Sequence, residues 1–297
     1  MGPPPAPPPC PPATKESPLP SKSGASSWLG GTPHVSGGPV EEVRFAARML
    51  RGYLTHKSDD FNDDTVFVCH YNWIPSRIQE GPMCGLVALE IASKLFNKNI
   101  SIQDIVSLAQ KKGVTKLGEM FSAAHMADLA ETLYGCRTMV LQYGLGDQKM
   151  ILDHVMNGGA ILLPYDIDHD FHPCCKNGKK AHWAIITGFL LSSPKSSIDG
   201  SSLKPDEQET YLYHGTPEIM QGILRQASDC DIYICGKHGK SRHLGLWNYS
   251  KMRTSNENLH ELNPDIANSL SKWVVPVEGG HLSGLRGKAV LLFTSDK

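Results

Sequence analysis

The sequence predicts an α+β fold in which helices come first and an antiparallel sheet follows. Between residues 41 and 159 the apolar residues recur mostly at helical spacing, whereas beyond residue 160 they form a series of short apolar runs typical of strands. This order indicates a segregated α+β domain rather than alternating βαβ units. With 297 residues, 40% of them hydrophobic, the chain is long enough to bury a sizeable core.

Residues 1–39 are expected to form a disordered arm, ahead of a globular domain at 40–297. Ten of the first twenty residues are proline, and a Ser/Gly-rich stretch follows to Gly38. Such a segment cannot bury enough apolar surface to offset its chain entropy. Its proline triplets favour a polyproline II rod, which aromatic-lined grooves bind, although a plain spacer is the other interpretation.

Helices are predicted where apolar spacing meets capping signals. The first has Phe45, Met49 and Tyr53 on one face, and a later one begins directly at Cys84 after the break at Gly81-Pro82. Ser101 with Asp104, Gly135, and Asp147 supply further start and stop signals. The predicted helices are 41–54, 84–97, 101–113, 118–134 and 147–157.

Strands are predicted at short apolar runs bounded by turn residues. The predicted strands are 65–68, 160–163, 182–191, 231–235, 243–247, 273–277 and 289–293. Residues 192–208 are rich in Ser, Pro and Asp and are expected to form an exposed loop.

Composition excludes several classes of function. The 29 Lys and Arg balance 30 Asp and Glu, which argues against electrostatic binding of nucleic acid. No apolar run approaches ~20 residues, the length of a membrane span, and the start lacks a secretory signal pattern. Eight scattered cysteines do not form a disulfide scaffold. We therefore expect a cytoplasmic protein that binds neither nucleic acid nor a membrane.

Cys84 is the strongest candidate for a nucleophile. A thiol at a helix N-terminus faces free backbone N–H groups and the positive end of the helix dipole, which favour the thiolate. The same N–H groups could hold an oxyanion that develops on an attacked carbonyl. The alternative is a buried structural cysteine, which is the commonest fate of a lone thiol.

His182 is the natural partner for this thiol. It opens the apolar strand His182-Trp-Ala-Ile-Ile-Thr-Gly188, about a hundred residues after Cys84. An imidazole at the mouth of a strand can pair with a thiolate on a facing helix. A histidine at a strand end can also be a plain surface residue, so the pairing with Cys84 carries the interpretation.

Two segments carry a resemblance to a known family. A Gln five residues before Cys84-Gly85, together with the His182 strand, resembles papain-like cysteine peptidases of the bacteriocin-processing (double-glycine) type. More narrowly, the proline-rich start, QEGPMCGLVAL, AHWAIITG and GKSRHLGLWNYSKMRTSN together resemble the actin maturation protease family, over roughly residues 60–297.

The resemblance implies a papain-like fold and a cysteine peptidase that removes the acetylated first residue, Met or Cys, from nascent actin. It assigns Cys84 as the nucleophile, His182 as general base and acid, and Gln79 as the oxyanion donor, one position closer to the Cys than many papain-like enzymes place it. It implies no metal and no organic cofactor. It also gives the proline-rich arm a partner, profilin, which binds both polyproline and actin.

The third catalytic group is left open by the sequence. Papain-like sites usually orient the His with an Asp or Asn on the following strand, but the strands after His182 offer neither at the expected places. Asp166, Asp168 or Asn248 could reach in from elsewhere. A Cys–His dyad without a third member is equally open, because an acidic thiol needs less help than a serine hydroxyl.

The loop before His182 allows two further interpretations. His169, His172, Cys174 and Cys175 are acceptable zinc ligands by type, but their spacing fits no known zinc motif. Lys176, Lys179 and Lys180 would gather positive charge at one rim of the cleft. Because the actin N-terminus behind its first residue is acidic, these lysines are predicted to bind substrate; a solvated loop is the alternative.

Two rival functions remain. A transglutaminase-like or deamidating enzyme could use the same Cys–His pair for acyl transfer. A non-catalytic adaptor for actin or profilin would need neither residue.

Overall fold

The computed structural model describes residues 38–57, 64–198, 203–226, 230–276 and 281–294. The arm predicted for residues 1–39 lies outside these ranges, except for its last two residues. Within the described ranges the chain is an α+β fold built on one eight-stranded sheet. The predicted fold class is therefore confirmed.

The sheet has the order β2-β8-β3-β4-β1-β5, with β6 and then β7 extending from β4. Its strands are β1 (Thr65–Tyr71), β2 (Thr138–Leu141), β3 (Ala160–Asp166), β4 (Ala181–Pro194), β5 (Leu212–His214), β6 (Asp231–His238), β7 (Gly245–Asn248) and β8 (Ala289–Leu292). Every pairing is antiparallel except that of β1 with β5.

Helices cover both faces of the sheet. They are α1 (Pro39–Lys57), α2 (Cys84–Ala92), α3 (Ile102–Lys111), α4 (Ala123–Tyr134), α5 (Gln148–Met156), α6 (Pro217–Gln226), α7 (Tyr249–Glu257) and α8 (Pro264–Ala267). Along β4, Trp183 and Ile185 pack with α2, α3 and α4, whereas Ala184 and Ile186 pack with α5, α6 and α7. This alternation follows from the two-residue period of a strand.

Strand β4 is the centre of the architecture because it pairs along both edges. One edge pairs with β6, and the other pairs with β3 near its start and with β1 near its end. The register of β4 against β6 shifts between Ile186 and Gly188. A Cβ on Gly188 would lie 2.5 Å from the carbonyl oxygen of His70. Glycine is therefore required at position 188, where the backbone of β1 runs close beside β4.

Several sequence-based predictions about elements are wrong. Residues 192–208 do not form one exposed loop, because β4 continues to Pro194 with Ser192 and Ser193 buried. The helix predicted from residue 118 begins at Ala123, capped by the Ser122 hydroxyl, and residues 273–276 form no strand. On α1 the predicted inner residues Met49 and Tyr53 are exposed, because a second stripe of smaller residues packs inward instead. That stripe consists of Val43, Ala46, Ala47 and Leu50.

Candidate active site

Cys84 is the first residue of α2, as the sequence predicts, and its sulfur lies against the backbone of β4. The backbone N–H groups of Trp183 and Gly85 lie near enough to this sulfur to favour its thiolate. The Trp183 N–H lies one residue beyond the β4–β6 ladder, whose first pair is Ala184 with His238. The β6 ladder thus ends before Trp183, and the Cys84 thiol lies near the Trp183 N–H.

The start of α2 is clamped between two elements. A Cβ on Gly85 would lie 2.9 Å from Met120 Cβ and 3.1 Å from Trp183 Cδ1, so the residue after Cys84 must be glycine for α2 to approach this closely. The Trp183 indole N–H in turn donates to the Met120 carbonyl oxygen at 2.9 Å. These contacts fix the position of the thiol relative to β4.

Burial raises the pKa of the Cys84 thiol above its ordinary value. The backbone N–H groups of Trp183 and Gly85 and the positive charge of Lys240 act in the opposite direction, but their effect is smaller. The thiolate expected from the helix N-terminus alone is therefore not the resting form. Desolvation of the thiol outweighs the helix-end contribution.

His182 lies at the second position of β4, opposite Tyr165 of β3, and its side chain is buried. Burial, His238 and Lys240 together lower the pKa of His182 to about 3, so the ring is neutral at physiological pH. Both residues lie in the described ranges, and no hydrogen bond joins the His182 ring to the Cys84 sulfur. In sites without substrate such contacts are often long and tighten on binding.

Gln79 lies beside the loop that follows β6. Its backbone N–H donates to the Gly239 carbonyl oxygen at 2.8 Å, and its side-chain Nε2 donates to the Gly81 carbonyl oxygen at 2.7 Å. One Nε2 hydrogen is thus used to hold the turn that leads into Cys84. The other remains for a ligand, which is compatible with a donor to an oxyanion.

The three residues that the sequence offers as a third catalytic group are engaged elsewhere. Asp166 accepts backbone N–H groups from Lys176 and Gly178, at 2.6 and 2.9 Å, and a further one from the same loop. Asp168 accepts the N–H groups of residues 170 and 172. Asn248 caps α7 through the N–H of residue 251.

The sequence of this chain is similar to those of known proteins. Residues 74–190 match the family described as "Actin maturation protease-like, C-terminal domain". Proteins named actin maturation protease are 36% identical over 266 residues in Homo sapiens, covering 87% of this chain and 74% of the relative, and 36% identical over 247 residues in Danio rerio, covering 82% and 80%. The Drosophila melanogaster relative is 30% identical over 226 residues, covering 75% and 70%.

This chain belongs to the actin maturation protease family. Both candidate segments, around Cys84 and His182, lie inside the matched range. A solved structure described as a C39-like peptidase from Bacillus anthracis aligns with 76% of this chain and 100% of its own, at 10% identity and a TM-score of 0.33, which is too low to carry a conclusion about this chain.

In this family member the lysines predicted to bind substrate lie on an exposed loop. The Lys179 ammonium pairs with Glu261 at 3.2 Å, and the charges of Lys176 and Lys180 act on Cys174. The cation that acts on Cys84, His182 and His238 is instead Lys240. Sequence reasoning missed Lys240, whose only signal is its position in the loop directly after a strand.

The zinc interpretation receives no structural support in the part of the chain that is described. Within it, no group of three or more His, Cys, Asp or Glu side chains is arranged to hold a metal ion. His169 instead pairs with Asp170 at 2.9 Å. None of the helices in the described ranges has the length and apolar character needed to cross a bilayer.

The two buried histidines predict that the protein loses stability in mild acid. Burial lowers the pKa of His182 to about 3 and that of His238 to about 4, so below the ordinary value of 6.5 the unfolded chain binds more protons than the folded one. Stability is therefore lost as pH falls from about 6.5 towards 4. The loss between pH 7 and 5 is about 2 kcal/mol for each histidine, measurable by urea unfolding.

A His238→Asn variant serves as the control for this prediction, because it removes one of the two titrating groups. Its free energy of unfolding should fall less between the two pH values than that of the unchanged protein. Equal losses in both proteins would contradict the prediction.

Proposed function

We propose that this chain is a cysteine peptidase that removes the N-terminal acetylated Met or Cys from nascent actin. The observation that supports it most is the Cys84 sulfur at the start of α2, held against the residue that follows His182. The names of the family's curated members supply the substrate, actin. Cys84 is the proposed nucleophile and His182 the proposed general base and acid.

The resting protonation states set the order of the proposed steps. Because the thiol and the imidazole are both neutral, His182 takes the proton of Cys84 as the sulfur attacks the carbonyl of the acetylated first residue. Charge then develops on the carbonyl oxygen, where the Gln79 amide and the first N–H groups of α2 are the candidate donors. The charge of Lys240 favours the negative charge that develops on the Cys84 sulfur as its proton leaves.

The second half of the reaction returns the enzyme to its starting state. The imidazolium of His182 gives its proton to the departing actin amine, which leaves a thioester between Cys84 and the acetylated amino acid. Water, deprotonated by His182, then attacks the thioester and releases the acetyl-amino acid. The site must be closed on one side, since only one acylated residue precedes the scissile bond.

Synthetic peptides with an acetyl-Met or acetyl-Cys start and an acidic continuation test this function. The proposal predicts that mass spectrometry finds the free acetyl-amino acid and a peptide shorter by one residue. The matched control is the same peptide with one extra residue ahead of the scissile position, which should remain uncut. A cross-linked or deamidated peptide of full length would favour the transglutaminase-like or deamidating rival instead.

The proposed role of the three loop lysines in substrate binding can be tested separately. Lys176, Lys179 and Lys180 are exposed, and reversing all three to Glu should raise KM for the acidic peptide by about tenfold and flatten its salt dependence, with kcat unchanged. The matched control reverses Lys94, Lys98 and Lys111, which are exposed towards the far end of α2 and on α3. An unchanged KM in the triple Glu variant would show that these lysines do not bind the substrate.

The proline-rich arm is proposed to recruit profilin-bound actin. Helix α1 follows the arm directly, and its Glu42 pairs at 2.7 Å with Lys237, the residue before His238. Helix α1 thus contacts β6, the strand that pairs with β4, and a substrate tethered ahead of this helix would gain effective concentration at the candidate site.

Deletion of residues 1–38 tests the arm. We expect slower cleavage of actin bound to profilin and unchanged cleavage of a short acetylated peptide, both measured by mass spectrometry of the products. Equal loss on both substrates, or no loss on either, would refute recruitment by the arm.

A further inference from the structure

The Nε2 atom of His182 is buried and has no hydrogen-bond partner among the described residues. Buried polar atoms almost always have a partner, so an unpaired ring nitrogen on a candidate catalytic residue needs an explanation. The carboxylates and the amide that the sequence offered are used elsewhere in the fold. Asp166, Asp168 and Asn248 therefore do not hold the His182 ring.

His238 is the group in position to do so. It ends β6 and pairs in register with Ala184, two residues along β4 from His182, so both imidazoles lie on the same face of the sheet. Their ring centroids are 5.5 Å apart and the rings are nearly perpendicular, at 82°. His238 is itself buried, at 4% exposure.

The orientation of His238 is fixed by its own neighbours. Its Nδ1 accepts the backbone N–H of Lys240 at 3.2 Å, so in the neutral ring the hydrogen is on Nε2. The ring also packs against Phe171 at 5.5 Å and Trp247 at 5.7 Å. Phe171 has a φ of 64°, a left-handed conformation that is uncommon for an aromatic residue and often occurs at functional sites.

The charges around this pair favour a neutral His238. Burial, with the charges of His172 and Lys240, lowers the pKa of His238 to about 4. Tyr165 of β3 also contacts His182, with ring centroids 6.3 Å apart. A neutral His238 adds no second cation beside the imidazolium that forms when His182 takes the thiol proton.

We propose that His238 is the positioning residue of the site, holding the His182 ring plane through the perpendicular ring contact in place of the usual Asp or Asn. The inference rests on the proposed function in so far as it needs His182 to accept the Cys84 proton. It concerns the protein alone, however, and can be tested without a substrate.

Alkylation of Cys84 by iodoacetamide provides that test, with the modified peptide quantified by mass spectrometry on the full chain. At pH 7 the thiol needs His182 as a base, so His182→Ala and His238→Ala should both react more slowly, the latter by about tenfold. Near pH 10 hydroxide removes the proton, and all variants should react alike. His238→Phe keeps a ring for the perpendicular contact and should recover most of the rate at pH 7.

The matched control is His169→Ala, an exposed histidine of the neighbouring loop, which should react like the unchanged protein. The proposal is overturned if His238→Ala reacts at the unchanged rate at pH 7, or if it is equally slow at both pH values, as a merely structural defect would be. It is also overturned if His182→Ala leaves the rate unaltered, since no base would then need positioning.

Peptide cleavage adds a second readout that separates this inference from the proposed function. His238→Ala should lower kcat by about tenfold and leave KM within a factor of about two. If the unchanged protein cuts no acetylated peptide, the proposed function fails while the alkylation result stands. If it cuts and His238→Ala cuts equally well, only the positioning role fails.

Discussion

Replacing Cys84 by Ala is expected to abolish release of the acetylated residue, with a loss of at least about a thousandfold in kcat. The sulfur forms the bond to the substrate carbonyl in the proposed reaction, and no other described thiol lies at a helix start beside β4. Alanine fits the same space beside Gly85, so α2 should still pack on Trp183. The rate is measured by mass spectrometry of the released acetyl-amino acid.

Stability measurements separate this loss from misfolding. The substitution removes the sulfur that lies near the Trp183 N–H, which costs about 1 kcal/mol and leaves the fold intact. The matched control is Cys136→Ala, since Cys136 is also a half-buried free thiol and its sulfur donates a hydrogen bond to the Ala130 carbonyl oxygen of α4. That control should cut the peptide at the unchanged rate.

The same variant distinguishes an enzyme from an adaptor in cells. If the chain only bridges actin and profilin, Cys84→Ala keeps its cellular function and the actin N-terminus keeps its mature mass. If the chain is the proposed peptidase, actin retaining its acetylated first residue accumulates. If cells whose only copy of the protein is Cys84→Ala still process actin, the peptidase proposal is contradicted.

Local signals made part of the fold predictable. The start of α2 follows from the break at Gly81-Pro82 and the apolar period beginning at Cys84, and both lie within a few residues of each other. The inner face of α1 does not follow from its sequence, because two stripes share helical spacing. The stripe with small alanines is the one that lets the helix approach β1 and β6, and only the packed structure decides between them.

The start of α4 was mispredicted for a similar reason. Residues 118–121 have helix-compatible composition, but the buried Glu119 carboxylate accepts N–H groups from Lys116, Leu117 and Val274 and the hydroxyl of Thr115. The three local bonds and the one from distant Val274 together hold this stretch as a loop, with Gly118 against Met83. A partner about 155 positions away leaves no local trace in the sequence.

The candidate site likewise has residues that the sequence predicts and interactions that only the packed structure shows. Cys84 and His182 are recognisable because each sits at the start of an element, where local patterning is informative. The raised thiol pKa, the Lys240 charge and the His238 contact depend on which elements meet in space, and sequence reasoning reached none of them. His238 was visible at the end of a predicted strand, but its chemistry is not that of the expected Asp or Asn.

Replacing Asp166 by Asn should destabilise the protein by about 3–5 kcal/mol. The carboxylate is fully buried and accepts the backbone N–H groups of Lys176, Gly178 and Lys180 at 2.6, 2.9 and 3.0 Å. An amide keeps one oxygen but turns two further hydrogens towards these donors, so at least one N–H loses its acceptor. Urea unfolding at pH 7 measures the loss.

Asp168→Asn is the matched control, because this half-buried carboxylate in the same loop also accepts two backbone N–H groups, in a turn near the surface. Water can replace those bonds, so its cost should stay near about 1 kcal/mol. Equal stabilities of the two variants would contradict the anchoring role of Asp166.

The two roles open to Asp166 predict opposite results. A third catalytic carboxylate would lose kcat on conversion to Asn and leave the free energy of unfolding nearly unchanged. If Asp166 instead anchors the loop that leads into β4, the Asn variant should lose stability. When this variant is kept folded at low temperature, iodoacetamide should modify its Cys84 at pH 7 at close to the unchanged rate. Because all three bonds to Asp166 come from the backbone of the segment just before His182, the structure favours the anchor. In the proposed site, His182 is then placed by Asp166 and oriented by another residue.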